Sequence, residues 1–239
     1  MYEMHRVVTS SDCDETGYQT PTSLVTMMQD CPSLWLESEP VIDNYIREND
    51  IALIITSRQM DIYRRPAYRE RITVKTSVYQ FRGPLGYRNT FIYDERGEVV
   101  AKSWSSGPYF DLAQNKMLKL PDEIVNTTVI DPKLDMEYLP RKIALPSAEP
   151  TELPTVPVVP SDIDYYHHVN NAQYVLMAID ALSGRGIDAP LARLSVQYRN
   201  MARLGDTVVP SIYGCEGGHD VELNDTEGNT YAVVRFQER

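Results

Sequence analysis

Two stretches of the chain carry apolar residues at helical spacing, and the residues after each of them read mostly as strand. Between 170 and 184, Tyr174, Val175, Ala178, Ile179 and Leu182 fall on one helical face. Asn170 or Asn171 is placed to cap that helix, and Ser183-Gly184 to end it. In PTSLVTMMQDCPSLWL, Leu24, Val25, Met28, Cys31 and Trp35 share a face, and Pro21 suits a first-turn position. Behind the first helix come IALIITSRQMDIY, RITVKTSVYQF, YRNTFIYD, EVVAKSWSS and KMLKL; behind the second, LARLSVQYR, DTVVPSIY, HDVELND and YAVVRF. Turn signals such as Arg82-Gly83-Pro84 and Glu227-Gly228-Asn229 separate them. One helix per four or five antiparallel strands predicts an α+β fold whose strands curl around a mostly apolar helix.

The two helix-then-strands patterns are copies of one unit. Shifted by 150 positions, Ser11, Asp12, Asp14, Val25, Met27 and Asp30 fall on Ser161, Asp162, Asp164, Val175, Met177 and Asp180, six identities in twenty positions. YRRPA at Tyr63 then resembles YRNMA at Tyr198, and DERGEVVA at Asp94 resembles DTEGNTYA at Asp225, in the same order. This divides the chain into domains at 1–125 and 151–239. The proline-rich, mixed-charge segment 126–150 reads as a linker passing over the surface.

Composition narrows the function classes. A net charge of −11 argues against nucleic acid as a partner. No run of about 18 apolar residues predicts a membrane span, and the N-terminus lacks the apolar core of a signal peptide. Cys13, Cys31 and Cys215 are odd in number and widely spaced, which fits neither a disulfide framework nor a zinc pattern. A reducing cytoplasm is the simplest setting. No metal and no cofactor is expected, and monomer or homodimer are both open.

The candidate chemistry lies in SDIDYYHHVNNAQY, residues 161–174. Asp162, like Asp12 and Asp14 in the first copy, is explained as a turn or cap residue, and His167 as a loop residue. Asp164 and His168 stand four apart, just before a helix whose N-terminal amides favour developing negative charge. A carboxylate, an imidazole and an oxyanion site are what acyl transfer to water needs. In the first copy the position of His168 is Tyr18 and that of Asn170 is Thr20. One active site per chain, in the second half, is therefore expected.

These residues resemble the S-D-x-D-x-N-x-H-V-N-N-x-x-Y motif of the acyl-acyl carrier protein thioesterases, which carry tandem hotdog domains. Gln197-Tyr198-Arg199 with Leu204-Gly205-Asp206, and Asp61 to Pro66 in the first copy, support the resemblance, which spans essentially the whole chain. It implies hydrolysis of the thioester between a fatty acyl chain and the phosphopantetheine arm of acyl carrier protein, in fatty acid biosynthesis, with no metal or cofactor. It places the catalytic carboxylate at Asp164 and the imidazole at His168. It puts the acyl chain beside the first helix, near Met27, Met28 and Trp35, with Asn170 and Asn171 as further substrate contacts.

Two positions depart from the motif. Tyr166 stands where the family has Asn, and Met201 where it has an acidic residue. Tyr166 still carries a hydrogen-bonding phenol, whereas Met201 is neither acid nor base. The sequence leaves open direct attack by Asp164 or activation of water, and the preferred chain length. The competing readings are a hotdog acyl-CoA thioesterase or hydratase and a non-catalytic acyl-binding protein. The basic run from Arg58 to Lys75, with Arg64 and Arg69 at its centre, is a candidate docking patch for an acidic carrier protein.

Overall fold

The computed structural model describes all residues, 1–239. The chain divides into two compact units, Met1–Thr20 with Met27–Leu139, and Pro140–Arg239 with Pro21–Thr26. Each unit contains an antiparallel sheet, and a long apolar helix belongs to each repeat, as the alternation of patterns predicts.

In the first unit the strands β1 (Tyr2–Val7), β3 (Ser57–Ile62), β4 (Arg71–Arg82), β5 (Leu85–Asp94) and β6 (Val99–Asp111) form a sheet in the order β1-β4-β5-β6-β3. Helix α1 (Pro21–Glu37) presents Leu24, Val25, Met28, Cys31 and Trp35 as buried side chains. The Cys31 thiol donates to the Val74 carbonyl of β4 at 3.6 Å, which fixes α1 against the sheet. Burial pushes this thiol up to about 11, so Cys31 is a core residue and not a nucleophile.

The first unit departs from the sequence reading in four places. IALIITSRQMDIY is not one strand. It breaks into β2 (Ile51–Leu53) and β3, and both pair with β6. The break is tied to Gly107, where a Cβ would lie 1.9 Å from the Ile54 carbonyl oxygen, so only glycine admits that approach. Helix α2 (Pro40–Glu48) was not anticipated; it buries Ile42 and Ile46 against Ile51, Tyr109 and Leu120. The hairpin strand β7 (Lys116–Leu118) is followed by one turn, α3 (Asp122–Val125), also not anticipated.

The fourth departure is the linker. It has no regular structure, yet it is a strap held by side chains of the sheet rather than a free connection. Gln59, Trp104 and Asn89 stand in register across β3, β6 and β5. Gln59 Oε1 accepts from the Trp104 indole at 2.8 Å and from the Leu139 amide at 2.9 Å, while its Nε2 donates to the Glu137 carbonyl at 2.8 Å. Asn89 Oδ1 accepts from the Tyr138 hydroxyl at 3.0 Å and the Leu134 amide at 3.2 Å. The strap explains why β5 is buried continuously from Arg88 to Ile92 instead of at alternate positions. α1 covers one face and the strap the other.

The second unit orders its strands β10-β13-β12-β11-β8, with β8 (Thr151–Glu152), β10 (Arg193–Tyr198), β11 (Thr207–Cys215), β12 (Gly218–Asn224) and β13 (Thr230–Gln237); β9 (Val156–Pro157) adds a short pairing to β11. Helix α4 (Asn171–Ser183) lies on β11, β12 and β13 and buries Tyr174, Val175, Ala178 and Leu182. Its caps are those read from sequence: Asn170 Oδ1 accepts from the Ala172 amide at 2.9 Å, and Gly184 closes the C-terminus. Beneath the sheet, Arg235 grips the fully buried Asp220 with two nitrogens.

Candidate active site

The loop before α4 is built by its own backbone. A single 3-10 turn at Pro160–Asp162 is closed by Asp162, whose carboxylate accepts from the Val159 amide at 2.8 Å. The chain then folds back on itself: the Asp164 amide donates to the His168 carbonyl at 2.9 Å and the His167 amide to the Asp164 carbonyl at 3.0 Å. This tight reversal forces His167 into the left-handed region at φ 64°. Asp164 Oδ1 accepts from the Tyr166 amide at 2.8 Å, an Asx turn that fixes the carboxylate and leaves Oδ2 without a donor. The half-buried His168 imidazole makes no hydrogen bond, and Asp164 and His168 are not bonded to each other through their side chains.

The other wall is the segment after β10. The Val169 amide donates to the Ala202 carbonyl at 2.9 Å, and the Ala202 amide donates to the Tyr174 hydroxyl at 2.9 Å. Tyr198, its ring 6.0 Å from that of Tyr174, donates through its hydroxyl to the Asn171 carbonyl at 3.2 Å. Met201 is thereby held beside the Asp164–His168 loop, with nearly half its surface exposed. Burial pushes the Tyr174 phenol up to about 12, helped by the charges of Asp206 and Asp164, so it remains a neutral support. Sequence patterning sees Tyr174 only as an apolar helix residue; its role in pinning residue 202 has no signal in the spacing. Tyr165 and Tyr166 project outward with their rings 5.5 Å apart, and Tyr166 is 71% exposed.

The first copy repeats this backbone hydrogen bond for hydrogen bond. Asp14 N donates to Tyr18 O at 3.0 Å, Gly17 N to Asp14 O at 3.0 Å, and Gln19 N to Pro66 O at 2.8 Å. The last bond corrects the sequence alignment of YRRPA with YRNMA by one residue. Pro66 is the counterpart of Ala202, so Arg65 is the counterpart of Met201. Arg65 binds Asp14 at 2.5 Å and lies over the Tyr18 ring. The hydrogen bond from the Thr16 hydroxyl, and then that from Arg65, hold the Asp14 carboxyl down at about 2. Asp164 has neither partner.

The loop carries Asp164, Tyr166, His168, Asn170 and Asn171, with Tyr166 turned outward, and Met201 stands on the segment that forms the other wall. The remaining candidates lie elsewhere. Met28 is fully buried, and Met27 and Trp35 nearly so, on α1. Met27 Sδ accepts from the Gln19 side-chain Nε2 at 3.8 Å. Arg64 forks onto Glu70 and also reaches Asp94 at 2.8 Å, so its charge is matched within the first unit. Arg65 is bound to Asp14, Lys75 to Glu3 and Arg71 to Glu95. Arg69 stacks over Tyr68 with no carboxylate against it. No group of three or more His, Cys, Asp or Glu side chains is arranged to hold a metal ion.

Two family descriptions match the chain: the acyl-ACP thioesterase N-terminal domain over residues 1–128 and the acyl-ACP thioesterase C-terminal domain over residues 147–237. The chain belongs to the acyl-ACP thioesterase family. An acyl-ACP thioesterase from Bacteroides thetaiotaomicron is similar in fold with a TM-score of 0.86 and 18% identity, over 98% of this chain and 96% of that one. The 12:0-ACP thioesterase from Umbellularia californica gives 0.81 and 14% identity, over 100% of this chain and 96% of that one. No curated protein matches it in sequence. The fold is the α+β arrangement of two hotdog domains that the family has, and membership is consistent with thioester hydrolysis. No helix is long and apolar enough to cross a membrane.

Proposed function

We propose that the chain hydrolyses the thioester of a fatty acyl group carried on acyl carrier protein, releasing the free acid in cytoplasmic fatty acid biosynthesis. The observation that carries this reading is the contrast between the two loops. The Asp14 carboxylate is consumed by Arg65 and Thr16, whereas Asp164 keeps a free oxygen beside an uncommitted imidazole. In the proposed reaction His168 takes a proton from water as it attacks the thioester carbonyl and returns it to the departing thiolate. Asp164 orients His168 or the water, and the amides at the start of α4 face the oxyanion. The missing bond between Asp164 and His168 is compatible with this, because such contacts tighten when substrate binds. Residues 1–125 hold the acyl chain through α1, 126–150 link, and 151–239 carry the chemistry.

A second reading, a non-catalytic acyl-binding protein, is favoured by Met201 in the place of an acid. One assay separates the two: the purified protein is given acyl-acyl carrier protein, acyl-CoA and a hydratase substrate, and thiol release is measured. Release from the carrier-bound thioester, abolished in His168→Ala, supports the first reading. Acyl binding without release supports the second.

A further inference from the structure

The N-terminal unit buries a cation with no carboxylate in ion-pair contact; the charge of Glu39 reaches it only from a distance. Arg88, on the face of β5 toward α1, keeps only 7% of its surface accessible and lies 3.8 Å over the centre of the Trp35 ring. Of its five donors, Nη1 alone is engaged, with the Thr76 hydroxyl at 3.2 Å. Nε and Nη2 donate to nothing, and no carboxylate pairs with the side chain. Burial lowers its pKa to about 10, which still leaves it charged at neutral pH. Tyr109, whose phenol feels the Arg88 charge, also lacks a hydrogen-bond partner, and burial raises it to about 12. Tyr109 lines a cavity of about 240 Å³ with Phe81, Gly83, Leu120 and Val125 and with the ion pair Lys119–Asp122; Tyr109, not Arg88 itself, borders it.

Buried charges are normally paired, because an uncompensated one is strongly unfavourable. A guanidinium stacked on an indole, with half of its fork unused, is preorganised for a planar two-oxygen anion. Phe81, Leu120 and Val125 around Tyr109 suit an anion that arrives on a hydrocarbon body. We propose that Arg88, with Thr76 and Trp35, binds the carboxylate of an aliphatic chain lodged in the N-terminal unit. Two sources offer that chemistry: the far-end carboxyl of an acyl chain whose other end is the thioester, or the free acid itself. The first source rests on the thioesterase reading; the second does not.

The test uses the full chain and measures binding of decanoate and of its methyl ester by calorimetry, beside hydrolysis of decanoyl-pantetheine and of the pantetheine mono-thioester of decanedioate. Decanoate should bind at least about tenfold more tightly than the ester, and Arg88→Met should erase that difference. Arg88→Met removes an unpaired buried charge and is expected to fold; Arg88→Gln, which keeps two donors, provides a second folded variant with intermediate preference. Preference for decanoate identifies the free acid as ligand. Faster turnover of the carboxylated thioester, lost in Arg88→Met, identifies the far-end carboxyl. Equal affinity for acid and ester together with equal turnover of the two thioesters overturns the proposal, and so does a carboxylate preference that survives in both variants. Hydrolysis without any carboxylate preference would leave the thioesterase reading standing, and binding without hydrolysis would do the reverse.

Discussion

The loops at 10–20 and 160–170 have one backbone and two electrostatic outcomes. Both begin with a single 3-10 turn closed by an aspartate, both reverse through a left-handed residue, and both carry a second aspartate at the same place. In the first copy the cation at 65 sits on that aspartate; in the second, Met201 leaves it alone. What distinguishes a scaffold carboxylate from a candidate catalytic one here is two side chains on a shared backbone: the hydroxyl of Thr16 inside the loop and the residue placed opposite by the next strand end.

The largest expected effects come from breaking the second loop. His168→Ala or Asp164→Ala should each lower thioester hydrolysis by about 10²–10⁴-fold. Asp14→Ala should leave turnover within a few-fold, which steady-state rates on one substrate will show. Converting one loop into the other is the sharper test. Met201→Arg should clamp Asp164 as Arg65 clamps Asp14 and reduce turnover by about 10²-fold with the fold intact. Met201→Glu with Tyr166→Asn should instead raise turnover. A folded double variant no faster than the natural protein would mean that Tyr166 is a working member of the site.

Next in size is stability against pH. The Asp14 carboxyl is depressed to about 2 from an ordinary value of about 3.9. Its contribution is therefore complete at neutral pH and disappears as pH falls from about 4 towards 2. Urea midpoints should drop less steeply over that range in Asp14→Asn than in the natural protein. A smaller effect concerns the reversal itself. Gly17, at φ 78° with open space around its Cβ position, and His167, at 64°, are counterparts. Gly17→Ala should lower unfolding free energy by about 1 kcal/mol, while His167→Gly should leave it within a few tenths. The smallest contrast is at the surface. Arg69→Glu should slow carrier-bound substrate a few-fold more than a pantetheine thioester, whereas Arg64→Glu should act equally on both, through the loss of its bonds to Glu70 and Asp94.

Much of this was legible in the chain because it is encoded locally. The cap at Asn170, the stop at Gly184 and the turns after Asp94 and Asp225, where DERG and DTEG repeat, each need only neighbours in sequence. Helix α2 is strongly amphipathic but escaped because its nine residues are shorter than the stretch over which a helical period is read. The strap escaped because its partners, Gln59 and Asn89, are about 80 and 45 residues away and its backbone has no repeat at all. The one-residue slip between Arg65 and Met201 was hidden by the similarity of YRRPA and YRNMA, and the backbone hydrogen bonds of Gln19 and Val169 resolve it, as do those of Tyr63 and Arg64 against Arg199 and Asn200. The ring stacked under Arg88 belongs to a helix 53 positions earlier in the chain, beyond any local pattern.

The strap has a practical meaning for anyone who would cut the molecule in two. A polypeptide ending at residue 125 would keep every strand of its sheet yet remove both donors to Asn89 Oδ1 and one of the two to Gln59 Oε1. Tyr138 would no longer cover Tyr79 and Trp104. Each acceptor stranded without water would cost about 1–3 kcal/mol, a large share of the roughly 5–15 kcal/mol that holds a domain folded. Scissors belong after Leu139.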